Sequence, residues 1–255
     1  MYAHPQTASQ QQAEALDQIS VNQNLQNQTA EGRIRWAVDT FGPGAVLLGS
    51  MQKTASVLMH HFYRMGLNNE ILFVDTGYHF PETLQLRDQL MRRYKLNIVT
   101  LYPALTPEQQ EKMYEKKLYL YVDGYKECCR MRKTVPFINH MKQQNHRLTM
   151  VGVRSGEGGQ RAGLGLVVPD QRTHGYTLHP IYDWTDDKVE TYLKENDVPV
   201  HPLHGQGYPS IGCECCTTPI KPGEAPRTGR WRHLREPGKE GPKYCNILLM
   251  DGAGI

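Results

Sequence analysis

Short apolar runs alternate with amphipathic stretches along most of the chain. An apolar run bounded by polar or glycine residues is typical of a strand buried in a parallel sheet, whereas apolar residues three or four positions apart indicate a helix. Strands are predicted at 45–48, 71–74, 97–101, 148–153 and 176–181, and helices at 29–40, after 54, near 82–94, at 107–121, at 126–143 and after 183. This order predicts an α/β fold, with a mostly parallel sheet flanked by helices on both faces.

Composition narrows the class of protein. The chain has 255 residues, of which 39% are hydrophobic and 22% charged, as expected of a globular protein with a substantial core. No apolar run is long enough to span a bilayer, and the polar amino terminus lacks a signal core, so we expect a cytoplasmic protein without membrane association. The net charge of +3 gives no electrostatic reason to expect nucleic-acid binding.

Five of the six cysteines fall into two groups, Cys128-Cys129 and Cys213-Glu-Cys-Cys216. Thiols stay reduced in the cytoplasm, where such groups more often bind metal or act in catalysis than form disulfides. Two remote pairs can supply four thiolates to zinc or to an iron–sulfur cluster, and an adjacent Cys-Cys is unusual for zinc. Two buried core cysteines and a redox Cys-x-x-Cys remain as alternatives.

Three polar loops are predicted at the carboxyl ends of strands, where open α/β sheets bind ligands. One precedes a helix and carries Lys53, which suits a phosphate or sulfate, although an ordinary strand–helix turn has the same pattern. The second begins with Asp75-Thr-Gly77. The third, residues 154–161, is glycine-rich and has an arginine at each end, and arginine binds phosphate and sulfate in a bidentate manner.

Several motifs together resemble the assimilatory sulfonucleotide reductases, specifically the iron–sulfur adenylyl-sulfate (APS) reductases, over roughly residues 30 to 245. They are Val74-Asp-Thr-Gly-Tyr-His-Phe-Pro-Glu-Thr83, Cys128-Cys129-x-x-x-Lys133, Asp183-Trp-Thr, the segment 202–213 that leads into Cys213, and Gly229-Arg-Trp231. The resemblance implies a PP-loop (adenine-nucleotide α-hydrolase-like) fold. The loop Ser50-Met-Gln-Lys-Thr-Ala55 keeps only the serine and lysine of the superfamily pattern Ser-Gly-Gly-Lys-Asp-Ser, which argues against an ATP pyrophosphatase.

The resemblance also implies the roles of individual residues. A 4Fe–4S cluster would be held by Cys128, Cys129, Cys213 and Cys216, with Cys215 as a non-ligand. Adjacent ligands on one helix imply local strain, and Lys133 would link cluster and substrate electrostatically. The implied substrate-binding residues are Ser50, Gln52, Lys53, Thr54, Asp75, Thr76, Gly77, Arg154, Arg161, Arg227 and Arg230.

The implied reaction is attack of a cysteine thiolate on the sulfur of APS, which releases adenosine 5′-phosphate and leaves an S-sulfocysteine. Thioredoxin or a similar dithiol protein would then release sulfite, and we expect it to be a separate protein because no redoxin domain follows residue 245. The implied nucleophile is Cys245. Around it the chain reads Tyr-Cys-Asn-Ile-Leu, whereas the family has Glu-Cys-Gly-Leu-His, so only the cysteine matches.

Three segments are expected: a polar amino-terminal part (1–28) that is frayed or partly disordered, a PP-loop nucleotide-binding domain (29–210), and a cluster-ligand segment with a mobile tail (211–255). The alternatives in function are reduction of the 3′-phosphorylated substrate (PAPS) and a homologue that binds APS and a cluster without catalysis. The sequence leaves homo-oligomer formation open.

Overall fold

A six-stranded sheet forms the centre of the computed structural model, which describes residues 16–157 and 161–235. Its strands, in spatial order, are β3 (Ile98–Leu101), β2 (Ile71–Val74), β1 (Ala45–Leu48), β4 (Leu148–Met150), β6 (Gly175–Leu178) and β5 (Val167–Asp170). All neighbours pair in parallel except β5, which runs antiparallel to β6 at one edge. The predicted α/β class with a mostly parallel sheet is confirmed.

Helices cover both faces of this sheet. They are α1 (Gln18–Gln26), α2 (Ala30–Phe41), α3 (Lys53–Arg64), α4 (Pro81–Tyr94), α5 (Pro107–Tyr114), α6 (Tyr125–Cys129), α7 (Val135–Gln143) and α8 (Asp186–Glu195). Successive strand residues point to opposite faces. Leu47 of β1 therefore packs into one core with α2, α3, α4 and α8, whereas Val46 packs with Phe137 and Met141 of α7 in another.

Helix starts follow from the sequence where a threonine precedes the first turn. The hydroxyl groups of Thr29, Thr106 and Thr185 accept hydrogen bonds from the backbone N–H groups of Gly32, Gln109 and Lys188. Such caps satisfy donors that have no partner within the helix. The helix predicted after residue 183 thus begins at Asp186, with Thr185 as its cap.

The structure differs from the predicted elements at several places, and the strands predicted at 148–153 and 176–181 end at Met150 and Leu178. The helix predicted at 107–121 ends at Tyr114, and a short 3-10 turn (Leu118–Leu120) follows, because Glu115 adopts a left-handed conformation that ends the helix. The edge strand β5 was not predicted, since it contains Pro169 and proline is typical of edge positions rather than of buried strands.

Within the polar amino-terminal segment, residues 18–26 form α1, capped by Asp17, and Leu25 is buried in the core. Residues 1–15 of that predicted segment lie outside the described part of the chain. In the described ranges, no helix has both the length and the apolar character needed to cross a bilayer.

Candidate functional site

Two of the predicted loops meet at the carboxyl ends of β1 and β2, as expected for adjacent parallel strands. In the first loop, buried Met51 has a positive φ of 54°, which turns the chain sharply into α3. The side chain of Gln52 accepts a hydrogen bond from the backbone of Ile211, 3.2 Å away. Lys53 forms an ion pair with Glu190 of α8, and Ser50 is exposed. This loop is thus tied to the segment that leads into the second cysteine group.

The second loop, residues 75–80, is tightly folded. The carboxylate of Asp75 accepts a hydrogen bond from the backbone of Gly77 at 2.9 Å, and Gly77 has a φ of +71°. Thr76 is fully buried, and its hydroxyl lies 3.4 Å from the Sγ atom of Cys213. The loop predicted to hold a nucleotide therefore contacts a cysteine predicted to bind a cluster.

The first cysteine pair (Cys128 and Cys129) lies at the end of α6, and both side chains are less than a tenth exposed. The helix does not stop there, because residues 130–134 form a π-helical turn that leads into α7. In a regular α-helix, adjacent side chains point about 100° apart. The wider turn immediately after this pair is the kind of local irregularity that is common at functional sites.

The second cysteine pair (Cys213 and Cys216) lies at a short 3-10 turn, which Cys213 precedes and Cys216 ends. Cys213 forms an antiparallel bridge with His79, and the backbone of Glu214 donates to the carbonyl of Tyr78 at 2.8 Å. The carbonyl of Cys216 accepts from the backbone of Trp231, also at 2.8 Å. Backbone hydrogen bonds thus hold this pair between loop 75–80 and the segment around Trp231.

Both pairs line one small cavity, and so does the half-buried Cys215. The walls otherwise combine aromatic rings with positive charge, and no acidic side chain of the described residues lines the cavity. The complete lining is Tyr78, Tyr119, Tyr125, Cys128, Cys129, Arg132, Lys133, Cys213, Cys215, Cys216, Arg230 and Trp231. The predicted ligands and the predicted Lys133 are therefore brought together.

The surroundings disfavour free thiolates at two of these cysteines. Burial raises the pKa of the Cys128 thiol to about 11, although a hydrogen bond from Gln110 partly opposes this rise. A hydrogen bond to Cys216, together with burial, raises the pKa of the Cys215 thiol well above its usual range. A buried thiol such as that of Cys128 loses its proton when it ligates a metal ion.

Arg132 connects the first cysteine pair to loop 75–80. Its side chain is 2% exposed and donates to the carbonyl of Thr76, to the carbonyl of Leu105 at 3.3 Å, and to the side chain of Gln110 at 3.0 Å. The guanidinium also lies over the ring of Tyr78. Sequence reasoning missed this role of Arg132, and it missed Gln110. The only available signal was that Arg132 follows Cys128 at helical spacing.

The predicted arginines fall into two groups. Arg230 lines the cavity, stacks on Trp231 with its guanidinium 4.5 Å from the ring centre, and donates to the carbonyl of Ile211. Arg227 donates to the hydroxyl of Ser210, which directly precedes Ile211 in the sequence.

The other two arginines do not line this cavity. Arg154 is buried and donates to the carbonyl of Trp184 and the carboxylate of Asp186 at the start of α8, and Arg161 pairs with Glu157. Thr54 packs against Gly152, where an added Cβ atom would approach its hydroxyl to 2.6 Å. Substrate roles for Arg154, Arg161 and Thr54 stay predictions, and Cys245 lies outside the described residues.

Comparison with known proteins agrees with this architecture. Residues 44–219 match the family described as the phosphoadenosine phosphosulfate reductase domain. A protein named adenosine 5′-phosphosulfate reductase from Mycolicibacterium smegmatis is 38% identical over 210 residues, which cover 82% of this chain and 86% of the relative. A protein of the same name from Halalkalibacterium halodurans is 34% identical over 223 residues, which cover 85% of this chain and 95% of the relative.

Among solved structures, phosphoadenylyl-sulfate (PAPS) reductase from Candida auris, in a phosphate complex, superposes with a TM-score of 0.68 at 23% identity, covering 78% of this chain and 97% of that one. This likeness concerns the fold and confirms the PP-loop class predicted from the sequence. With the family match extending over more than half of the chain, the protein belongs to the phosphoadenosine phosphosulfate reductase domain family.

Proposed function

We propose that this protein reduces APS to sulfite and AMP, as an adenylyl-sulfate reductase of sulfate assimilation. The observation that carries the proposal is the contact between the two halves of the site, where Thr76 of the predicted nucleotide loop lies against Cys213 of the four-thiol cavity. The names of the relatives from Mycolicibacterium smegmatis and Halalkalibacterium halodurans support the choice of APS.

A 4Fe–4S cluster fits the donor set of the cavity. Cys128, Cys129, Cys213 and Cys216 offer four buried thiols, and soft thiolates are the ligands that such clusters take. When bound, the cluster supplies a compact negative charge and a redox-active centre. Three cations line the same cavity, namely Arg132, Lys133 and Arg230, and they offset that charge.

The proposed chemistry begins with the thiolate of Cys245, which attacks the sulfur of the sulfuryl group of APS. The bond from that sulfur to the phosphate oxygen breaks, AMP leaves with the bonding pair, and Cys245 becomes an S-sulfocysteine. Lys53 and the α3 amino terminus would bind the phosphate, and Lys133 would stabilise the negative charge that develops on the leaving group.

Release of sulfite needs two electrons from a separate dithiol protein such as thioredoxin. One of its thiolates attacks the Sγ atom of Cys245 and displaces sulfite, which leaves a mixed disulfide. Its second thiol then closes a disulfide within the partner and restores the Cys245 thiol.

Reduction of PAPS is the second candidate, because residues 227–235 are rich in arginine and a PAPS reductase shares the fold. Contacts within the protein favour APS. Arg232 forms a two-pronged ion pair with Glu224, and Arg235 donates to the carbonyls of Arg227 and Arg230. A 3′-phosphate would have to compete with these partners. A kcat/KM for PAPS above that for APS would make PAPS the substrate.

The proposed intermediate is tested with Cys245→Ser. Anaerobically purified wild-type protein, given APS without reductant, should gain the mass of one sulfonate on the peptide containing Cys245. The variant should keep its iron and bind APS but lose turnover by at least about 10³-fold, the scale seen when a nucleophile is removed. Cys215→Ser serves as the control and should keep the adduct and turnover. An adduct on Cys215, or sulfite release by Cys245→Ser, would disprove the assignment of Cys245.

A further inference from the structure

A second cluster of side chains of the types that bind metals lies at the amino-terminal ends of the parallel strands, opposite the ends that carry the cysteine cavity. Glu70 directly precedes β2, His140 lies in the last turn of α7, and His146 lies in the turn that leads to β4. The Nε2 atoms of His140 and His146 lie 2.8 and 3.1 Å from Oε2 of Glu70. Three elements of the fold thus converge on one carboxylate.

We propose that Glu70, His140 and His146 bind a divalent transition-metal ion, with zinc as the best match. Their three ligand atoms lie within 4.8 Å of one another. Two imidazoles and one carboxylate are a recurrent ligand set of zinc sites that keep a fourth position for water. The two nitrogen donors disfavour calcium and magnesium, which take oxygen ligands.

The spacing is close to what zinc requires. Zinc–ligand bonds of about 2.0–2.1 Å in a tetrahedron place ligand atoms about 3.3 Å apart. The two imidazole–carboxylate separations of 2.8 and 3.1 Å need to widen by only a few tenths of an ångström, and the ligand nitrogens of the two histidines lie within 4.8 Å of each other. Rotation of the Glu70 side chain provides this movement, because that side chain is 28% exposed and therefore not tightly enclosed.

The exposure of the three side chains also fits a metal ion that exchanges with the surrounding solution. The side chains of His140 and His146 are 15% and 7% exposed, so the protein shields the site on the imidazole side while Glu70 faces solvent. The Nδ1 atom of His146 is buried and has no hydrogen-bond partner among the described residues. Because a second hydrogen bond normally orients a metal-bound imidazole, we expect an affinity about 10–100-fold weaker than that of a fully supported zinc site.

The location gives the ion a structural consequence. The helical stretch that begins with α6 and ends with α7 carries the first cysteine pair near one end and His140 near the other, about 16 Å along the axis. A bound ion would fasten the carboxyl end of α7 to the start of β2. Metal binding at the amino-terminal ends of the strands would therefore stabilise the helix that presents Cys128 and Cys129 at their carboxyl ends.

The test uses protein purified anaerobically with its iron retained, so that the cysteines are not offered to added metal. Titration with Zn²⁺ alone should show one ion bound per chain, and X-ray absorption at the zinc edge should report nitrogen and oxygen ligands at about 2.0–2.1 Å. Sulfur ligands at about 2.3 Å would place zinc on the cysteines and overturn the proposal. Absence of stoichiometric zinc would leave a purely hydrogen-bonded His–Glu–His group and would also overturn it.

Variants locate the ion independently of activity. Glu70→Gln and His140→Asn should each weaken zinc binding by more than about 100-fold, since losing a ligand exceeds the loss expected from an outer hydrogen bond. His174→Asn is the matched control, because His174 is exposed and outside the cluster, and its left-handed backbone suits asparagine. Equal zinc affinity in all three variants would contradict the assignment even where the wild type binds one ion.

Discussion

The two cysteine pairs reach the same cavity from different kinds of backbone. The first pair lies on a helix that continues through a π turn, so its position depends on where the whole helix packs. The second pair lies on irregular chain and is held by backbone hydrogen bonds to loop 75–80 and to Trp231. Helical backbone satisfies its own hydrogen bonds, so a helix needs a side chain to fix it to a loop.

Arg132 is that side chain. It donates to the carbonyl of Thr76, whose own hydroxyl contacts Cys213. Loop 75–80 is therefore the common support of both pairs, attached to the first through a guanidinium and to the second through the backbone of His79. Any shift of this loop, for instance when a substrate binds, would act on both pairs together.

Removal of a ligand from the second pair should have the largest effect. Cys213→Ser replaces a soft ligand with a hard one, and we expect the iron content to fall from about four per chain to near zero. Cys215→Ser changes the neighbouring thiol in the same turn and should retain iron, because Cys215 is the proposed non-ligand. Iron and acid-labile sulfide, measured on anaerobically purified protein, separate the two variants. Full retention in Cys213→Ser, or stoichiometric zinc in colourless wild-type protein, would rule out the proposed cluster.

Sequence reasoning identified the four thiols that line the cavity, but not the side chains that hold them in place. The pairs Cys128-Cys129 and Cys213-x-x-Cys216 are local patterns, and the strands that position them are short apolar runs that can be recognised without knowing the fold. Arg132 and Gln110 are polar residues on helices, where a solvated surface is the usual outcome. Their burial arises from packing between elements that are distant in sequence, and no local pattern reports it.

The helical attachment is tested by comparing two arginines within one turn. Arg132→Met leaves the carbonyls of Thr76 and Leu105 and the side chain of Gln110 without their donor. We expect a loss of about 3 kcal/mol in the free energy of unfolding, because each buried acceptor left unpaired costs about 1–3 kcal/mol. Arg130→Met removes a surface ion pair with Glu127 and should cost no more than about 0.5 kcal/mol.

Anaerobic urea unfolding, followed by circular dichroism, measures both variants. Iron content provides a second readout, since displacement of the first cysteine pair should loosen the proposed cluster in Arg132→Met and leave it intact in Arg130→Met. If the two variants unfold at the same urea concentration, Arg132 does not hold the helix against loop 75–80, and the described difference between the two pairs disappears.

The smallest predicted effect concerns the loop itself. Gly77 has a φ of +71°, and an added Cβ atom would lie 3.0 Å from both Nη2 of Arg132 and Cγ of Pro107. Gly66 has a similar φ of +64° but has open space around it. A left-handed conformation costs an L-residue about 1–2 kcal/mol wherever it occurs. Gly66→Ala should therefore lower the free energy of unfolding by about 1 kcal/mol, whereas Gly77→Ala should lower it by about 2 kcal/mol, since its crowding adds to the conformational cost.

The comparison of the two alanine variants isolates the crowding around Gly77, by Arg132 and Pro107, because the cost of the left-handed backbone is shared. Pro107 is a rigid ring at the start of α5, so the guanidinium is the neighbour that can yield, and its Nη2 atom moves at the expense of the hydrogen bond to the carbonyl of Leu105. Combining Gly77→Ala with Arg132→Met should then be less destabilising than the sum of the single changes, because the part of the crowding that comes from the guanidinium is removed. Strict additivity in urea unfolding would show that Gly77 and Arg132 act independently, and loop 75–80 would lose its role as the joint support of the two cysteine pairs.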